Sequence, residues 1–120
     1  MSKYIYQDQE GLKYLCDLYK DGYISGKHII ILNYMISNIK NGSNFYFSNK
    51  QISVDLNLNI DSKHVSTFIK RLIEFELVFH GTTLDINAPY VLHPMLGYKG
   101  ELDTIDEVLN KINNKRGYKQ

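Results

Sequence analysis

Apolar residues along this chain recur mostly with the period of a helix. Leu12, Leu15, Cys16 and Tyr19 stand at i, i+3, i+4 and i+7, which predicts a helix over about 9–20 ended by the turn pair Asp21-Gly22. A second helix is expected from after Ser25 to Lys40, with Ile29, Leu32, Met35, Ile36 and Ile39 on one face. Asn41, Gly42 and Asn44 supply its stop, and Phe45-Tyr46-Phe47 then reads as a very short strand. Ser48 to Gln51 has the form of a capping box, Ser48 as N-cap and Gln51 reaching back, for a short helix carrying Ile52 and Leu56. Asn57-Leu58-Asn59 breaks that helix, and Asp61 caps the next, with Ile60 placed to staple onto Val65. In this helix Val65, Phe68, Ile69, Leu72 and Ile73 form the apolar face, opposite Ser62, Lys63, Ser66, Thr67, Lys70 and Arg71. Two short capped helices joined by a tight turn make a helix-turn-helix.

Beyond Glu76 the period changes. Leu77-Val78-Phe79-His80 reads as a strand, Gly81 opens a loop, and Tyr90-Val91-Leu92 reads as the returning strand of a hairpin, with Pro89 and Pro94 at its edges. Thr104 to Glu107 forms a second capping box, opening a helix with Leu102, Ile105, Leu109 and Ile112 on one stripe. Its acidic residues lead and Lys111, Lys115 and Arg116 follow, as the helix dipole favours. That stripe suits either a dimer seam or packing onto the chain's own core. The order predicts a mainly α fold with a small β-hairpin (α+β). It is a winged helix-turn-helix of core 25–100 with flanking helices at about 9–20 and 103–116, in one domain spanning 1–120.

Composition narrows the function. The chain has 120 residues, 43% hydrophobic and 22% charged, which suits one globular domain. Its 14 Lys and Arg against 13 Asp and Glu leave a net charge of +1, so attraction to a polyanion must come from local placement of charge. One cysteine, Cys16, excludes a disulfide framework and multi-cysteine zinc sites, and points to a reducing, cytoplasmic setting. No apolar run is long enough for a signal peptide or a membrane span. His28, His64, His80 and His93 show no metal-ligand spacing, no nucleophile signature surrounds Cys16, and no phosphate-cradling glycine loop occurs. Gly97-Tyr98-Lys99-Gly100 has the G-x-x-G form of an RNA clamp but reads as a plain turn. The expectation is a protein that is not an enzyme and needs no cofactor.

Three stretches carry a family resemblance: Ile31 to Met35, the two-helix unit from Ser48 to Phe75 with the strand Leu77 to His80, and the ending Tyr90-Val91-Leu92-His93-Pro94 through Tyr98-Lys99-Gly100. From Ser25 to Gly100 the chain resembles the winged-helix plasmid replication initiators of the Firmicute RepL type and, more loosely, MarR-like regulators. The resemblance implies that the helix from Lys63 to Arg71 is the recognition helix and the hairpin the wing. It also implies a role in plasmid or phage replication initiation, or in transcriptional regulation. On that helix Lys63, Lys70 and Arg71 suit phosphate or guanine contacts, and Ser62, His64, Ser66 and Thr67 are short enough to reach base edges. With Lys50 the cations would neutralise about 4 phosphates per protomer. The loop Gly81 to Ala88 departs from the family pattern, having no Lys or Arg and one acid, Asp85, which argues against wing contacts to DNA.

The expected partners are double-stranded DNA, read sequence-specifically, and a second copy of the chain, since a twofold homodimer reads two half-sites. Host replication proteins are possible further partners. The alternative is a winged helix used as a protein-interaction module, a replication-protein partner or an inhibitor of a host protein, without direct DNA binding.

Overall fold

The computed structural model describes residues 4–57, 59, 61–100 and 104–115, and its first helix, α1 (Gln9–Lys20), has the predicted bounds. Asp8 caps it by accepting the Glu10 N–H at 2.8 Å, and Leu15 and Leu18 are buried beneath it. α2 (Gly26–Ser37) opens at Ser25, whose N–H donates to His28 Nδ1 at 2.9 Å. It stops three residues short of the expected Lys40. Asn38 is its cap residue, and Lys40 already pairs with Asn44 across a tight turn in which Asn41 and Gly42 take φ of 51° and 94°.

β1 (Asn44–Phe45) starts one residue before the expected strand and ends two residues before its expected end, because only Asn44 and Phe45 pair with a partner strand. α3 (Asn49–Leu56) is capped by Ser48 Oγ, which accepts the Gln51 N–H at 3.1 Å. The Gln51 side chain donates to Asp55 Oδ1 at 2.6 Å instead of closing the predicted box. Left-handed Asn57 (φ 49°) and Asn59 (φ 57°) make the break. α4 (Ser62–Glu74) follows, with Asp61 Oδ1 accepting the His64 N–H at 3.0 Å.

β2 (Val78–His80), a 3-10 turn (Gly81–Leu84) and β3 (Tyr90–Leu92) come next, then α5 (Ile105–Lys115). The loop between β2 and β3 therefore has structure that its composition does not announce. The predicted two-stranded hairpin is one side of a three-stranded antiparallel sheet ordered β1-β3-β2, with Phe45 opposite Tyr90 and His80 opposite the same Tyr90. Ile60, expected to staple, Leu58 in the break, Leu102 on the C-terminal stripe and Arg116, expected to end the last helix, lie outside the described residues.

Side chains alternate across a strand, and the two faces of β3 are covered by different layers. Tyr90 and Leu92 join the main core, formed by Ile31, Leu32 and Met35 of α2, Ile52 of α3, and Val65, Ile69 and Leu72 of α4. Val91 faces the other way and packs with Leu84 and Ile112 in a second cluster, flanked by Phe79, Ile86 and Val108. α5 thus lies over the outer face of the sheet of its own chain. Ile112 of the predicted stripe is buried there, while Ile105 and Leu109 are half-buried. Within the expected turn Gly97 to Gly100, Tyr98 and Lys99 are instead bridged, Tyr98 to Tyr6 and Lys99 to Gly42, and the chain bends only at Gly100. Among the described residues no helix is long and apolar enough to cross a membrane.

Candidate nucleic-acid interface

The first turns of α3 and α4 meet beside the start of β3. Ser48, Asn49 and Lys50 from one, Ser62, Lys63 and Ser66 from the other, and Pro89 with Tyr90 from the strand line a shallow open groove of about 560 Å³. Its geometry follows from the αL residues Asn57 and Asn59, which fold α4 back against α3 within a few residues. A further tie closes the third side. The Tyr90 hydroxyl donates to Asn49 Oδ1 at 2.9 Å and so fastens β3 to the first turn of α3.

Lys50 and Lys63 are exposed on the two sides of this groove. Lys70 stands seven residues after Lys63, on the same face of α4 and about 10 Å along its axis. Between them lie Ser66, half-buried, and Thr67, exposed, whose Oγ1 donates to the Lys63 carbonyl at 3.2 Å. No acidic side chain occurs on α4 before Glu74. The positive end of the helix dipole adds to the lysines at the groove.

His64 and Asp61 sit beside this stripe. His64 Nδ1 lies 2.8 Å from Asp61 Oδ1, so the ring is held against the N-cap at the start of α4. The His64 backbone N–H, and after it the His64 ring, hold the Asp61 carboxyl below the ordinary carboxylate range despite its slight desolvation.

Arg71 points elsewhere. Its Nε donates to the Tyr23 carbonyl at 2.9 Å, its Nη1 pairs with Glu74 at 3.1 Å, and its guanidinium carbon lies 5.4 Å from the Phe75 ring centre. The eight residues singled out from the sequence therefore divide. Lys50, Ser62, Lys63 and Ser66 share the groove, Thr67 and Lys70 continue its line along α4, His64 flanks the cap, and Arg71 joins α4 to the α1–α2 loop.

Asn49, Pro89 and Tyr90 belong to the groove without having been singled out. No local sequence signal brings Pro89 and Tyr90 beside residue 49, because their placement depends on the β1–β3 pairing. The hairpin loop is drawn inward, with Gly81, Leu84 and Ala88 buried, and left-handed Asp85 (φ 55°) is its exposed acid. Among the described residues no group of three or more His, Cys, Asp or Glu side chains could hold a metal ion.

No protein-family model, curated protein or solved structure matches this chain, so these residues and their geometry carry the functional argument.

Proposed function

We propose that the chain is a winged helix-turn-helix protein that binds double-stranded DNA by laying α4 in the major groove. The single observation that carries this reading is the acid-free line of Lys63, Ser66, Thr67 and Lys70 along one exposed face of α4, continued at its N-terminal end by Lys50 and Ser48. A major groove about 12 Å wide admits one helix, and short hydroxyl side chains between two cations suit base edges between two phosphate contacts. The element order from α2 to β3 and the sheet order β1-β3-β2 support the winged-helix reading. By the resemblance to RepL-type initiators, the duplex is a plasmid or phage origin, or a promoter near it, read by a homodimer in the cytoplasm.

Fluorescence anisotropy against an A/T-rich duplex at two salt concentrations tests this. Three lysines per protomer predict a slope of log affinity against log salt of about −3, doubled in a dimer. Micromolar binding that collapses as salt rises is the expected result. Absence of binding at low salt overturns the reading.

A second reading is favoured by one observation at the far end of α4. Tyr14 and Tyr23, both about half exposed, flank Phe75, Tyr14 through its hydroxyl on the Phe75 carbonyl and Tyr23 through ring packing at 5.3 Å. Exposed tyrosines of this kind are enriched in protein interfaces. A protein-binding role through this patch would be nearly insensitive to salt, which separates it from DNA binding in the same titration.

A further inference from the structure

We infer that Tyr90 is a positioning residue for DNA: its hydroxyl orients the Asn49 amide so that Nδ2 donates to a backbone phosphate seated between Lys50 and Lys63. The inference rests on the DNA-binding reading and deepens it, naming what the groove between α3 and α4 holds and how the hairpin contributes.

Asparagine has no local reason to stand at position 49. Ser48 already caps α3 through its Oγ on the Gln51 N–H, so a second capping side chain is redundant. Within a helix asparagine is a weaker former than alanine, lysine or glutamine, because its amide competes for backbone groups. The bond that the Asn49 side chain makes is a distant one: Oδ1 accepts the Tyr90 hydroxyl at 2.9 Å, from a strand 41 residues later. An amide is planar, with its acceptor on one arm and two N–H donors on the other. With Oδ1 held toward Tyr90, Nδ2 is turned away from it, and among the described residues no acceptor takes its hydrogens.

The Tyr90 ring gives that bond a rigid backing. It is 9% exposed, belongs to the main core, and packs against the His80 ring with centroids 5.6 Å apart. Its backbone is paired on both sides, to Phe45 of β1 and to His80 of β2. A phenylalanine would fill the same core position, so packing alone does not account for the hydroxyl. Its bond to Asn49 does, by fixing an amide that would otherwise rotate about its own side chain.

The surroundings of Asn49 suit an anion. Lys50 and Lys63 line the same open groove, with Ser48 and Ser62 beside them and no acid among its lining residues. Asparagine reads adenine with Oδ1 and Nδ2 together on one base, and here Tyr90 holds Oδ1 toward the strand. A bond to a phosphate oxygen needs Nδ2 alone, and the charge on the phosphate strengthens it. The hairpin thus serves DNA binding from behind, through a core tyrosine, which is compatible with a loop from Gly81 to Ala88 that has no Lys or Arg.

A double-mutant cycle tests this. Y90F keeps the ring and N49A favours the helix, so circular dichroism should match the parent for both and for Y90F/N49A. Anisotropy is read under conditions where urea denaturation shows each protein fully folded. N49A should bind duplex about tenfold more weakly and Y90F about threefold, while the double variant should be no weaker than N49A alone. Because the contact is uncharged, all three should keep the parental salt slope, whereas K50A should lower it by about 0.9. The loss in N49A should be equal on A/T-rich and G/C-rich duplexes, since a phosphate carries no sequence information.

Parental affinity in Y90F, or a Y90F loss that persists in the N49A background, overturns the positioning role while leaving the α4 interface standing. A shallower salt slope in Y90F also overturns it, because the effect would then run through the lysines. A loss in N49A confined to one duplex assigns Asn49 to a base and overturns the phosphate seat. A parent protein that binds neither duplex overturns this inference and the DNA-binding reading together.

Discussion

Arg71 Nε donates to the carbonyl of Tyr23 at 2.9 Å, joining α4 to the loop between α1 and α2 across 48 residues of sequence. The same guanidinium pairs with Glu74 and lies over Phe75 at the end of α4, so it fixes that end of the helix against the loop. Substituting it should therefore act on stability. R71A should lose about 1 kcal/mol in urea denaturation, a figure kept small because the group is partly exposed. Its DNA affinity per folded molecule should stay close to that of the parent. K63A/K70A should do the opposite, keeping the urea midpoint and losing most of the binding. If R71A instead keeps its midpoint and loses affinity, Arg71 contacts DNA directly.

The sequence could not have revealed this division. Lys63, Lys70 and Arg71 look alike in the one-dimensional pattern, and one residue of rotation about the α4 axis separates a solvent-facing cation from one turned toward Tyr23. Local signals were legible where the physics is local. The bounds of α1, the Asp61 cap of α4 and the strand Tyr90–Leu92 all follow from periodicity and capping over a few residues. The shortening of the first strand and its addition to the hairpin depend on pairing between residues 44–45 and 90–91, which no window of local pattern contains. Pro89 and Tyr90 were missed from the groove for the same reason, since Tyr90 reaches Asn49 only through that pairing.

Stability should fall on mild acidification through His28. Its Nδ1 accepts the Ser25 N–H at 2.9 Å, which requires the unprotonated atom, and its ring stands edge-on to Phe68 with centroids 4.8 Å apart. Burial, and secondly the nearby Arg71 charge, lower its pKa below 6.5. The unfolded chain thus binds a proton at a pH where the folded chain does not. The stabilisation is complete above about pH 6.5 and is lost as pH falls through the lower folded value. Urea midpoints between pH 7.5 and 5 should decline in the parent and decline less in H28Q. Parallel declines in the two proteins would assign the effect to other groups. Asp61 acts in a more acid window, because its carboxyl, lowered by the His64 N–H, keeps its charge above the ordinary carboxylate value and loses its cap as pH falls through the lowered one.

Gly81 should not accept a side chain. A Cβ built there would lie 1.8 Å from the Ala88 carbonyl oxygen and 2.7 Å from that of Ile86, both backbone atoms of the folded-in loop. Relief requires opening the bonds from Ile86 N–H to the Gly81 carbonyl (2.8 Å) and from Gly81 N–H to the Pro89 carbonyl (3.2 Å). G81A should cost roughly 1–3 kcal/mol or more, measured by chemical denaturation. An unchanged midpoint would mean that the loop is not packed as described.

Ile112 separates the two uses open to the C-terminal stripe. It is buried against Leu84 and Val91 of its own chain. I112A should cost about 2–3 kcal/mol, toward the low end for an apolar truncation because the cluster is small. Sedimentation of the variant and the parent should give the same oligomeric state. A change of state with little loss of stability would place the residue in a subunit contact.

The sheet also constrains the order in which the molecule can be assembled. β1 and β3 are neighbours in the sheet, yet everything from Tyr46 to Pro89 lies between them in the chain, including α3, α4 and β2. Closing that span costs chain entropy that only prior docking of the two helices reduces. β1 should therefore join late in folding. Mutations in it should speed unfolding more than they slow refolding, and the helical pair should form its mutual contacts before the strand that fastens it.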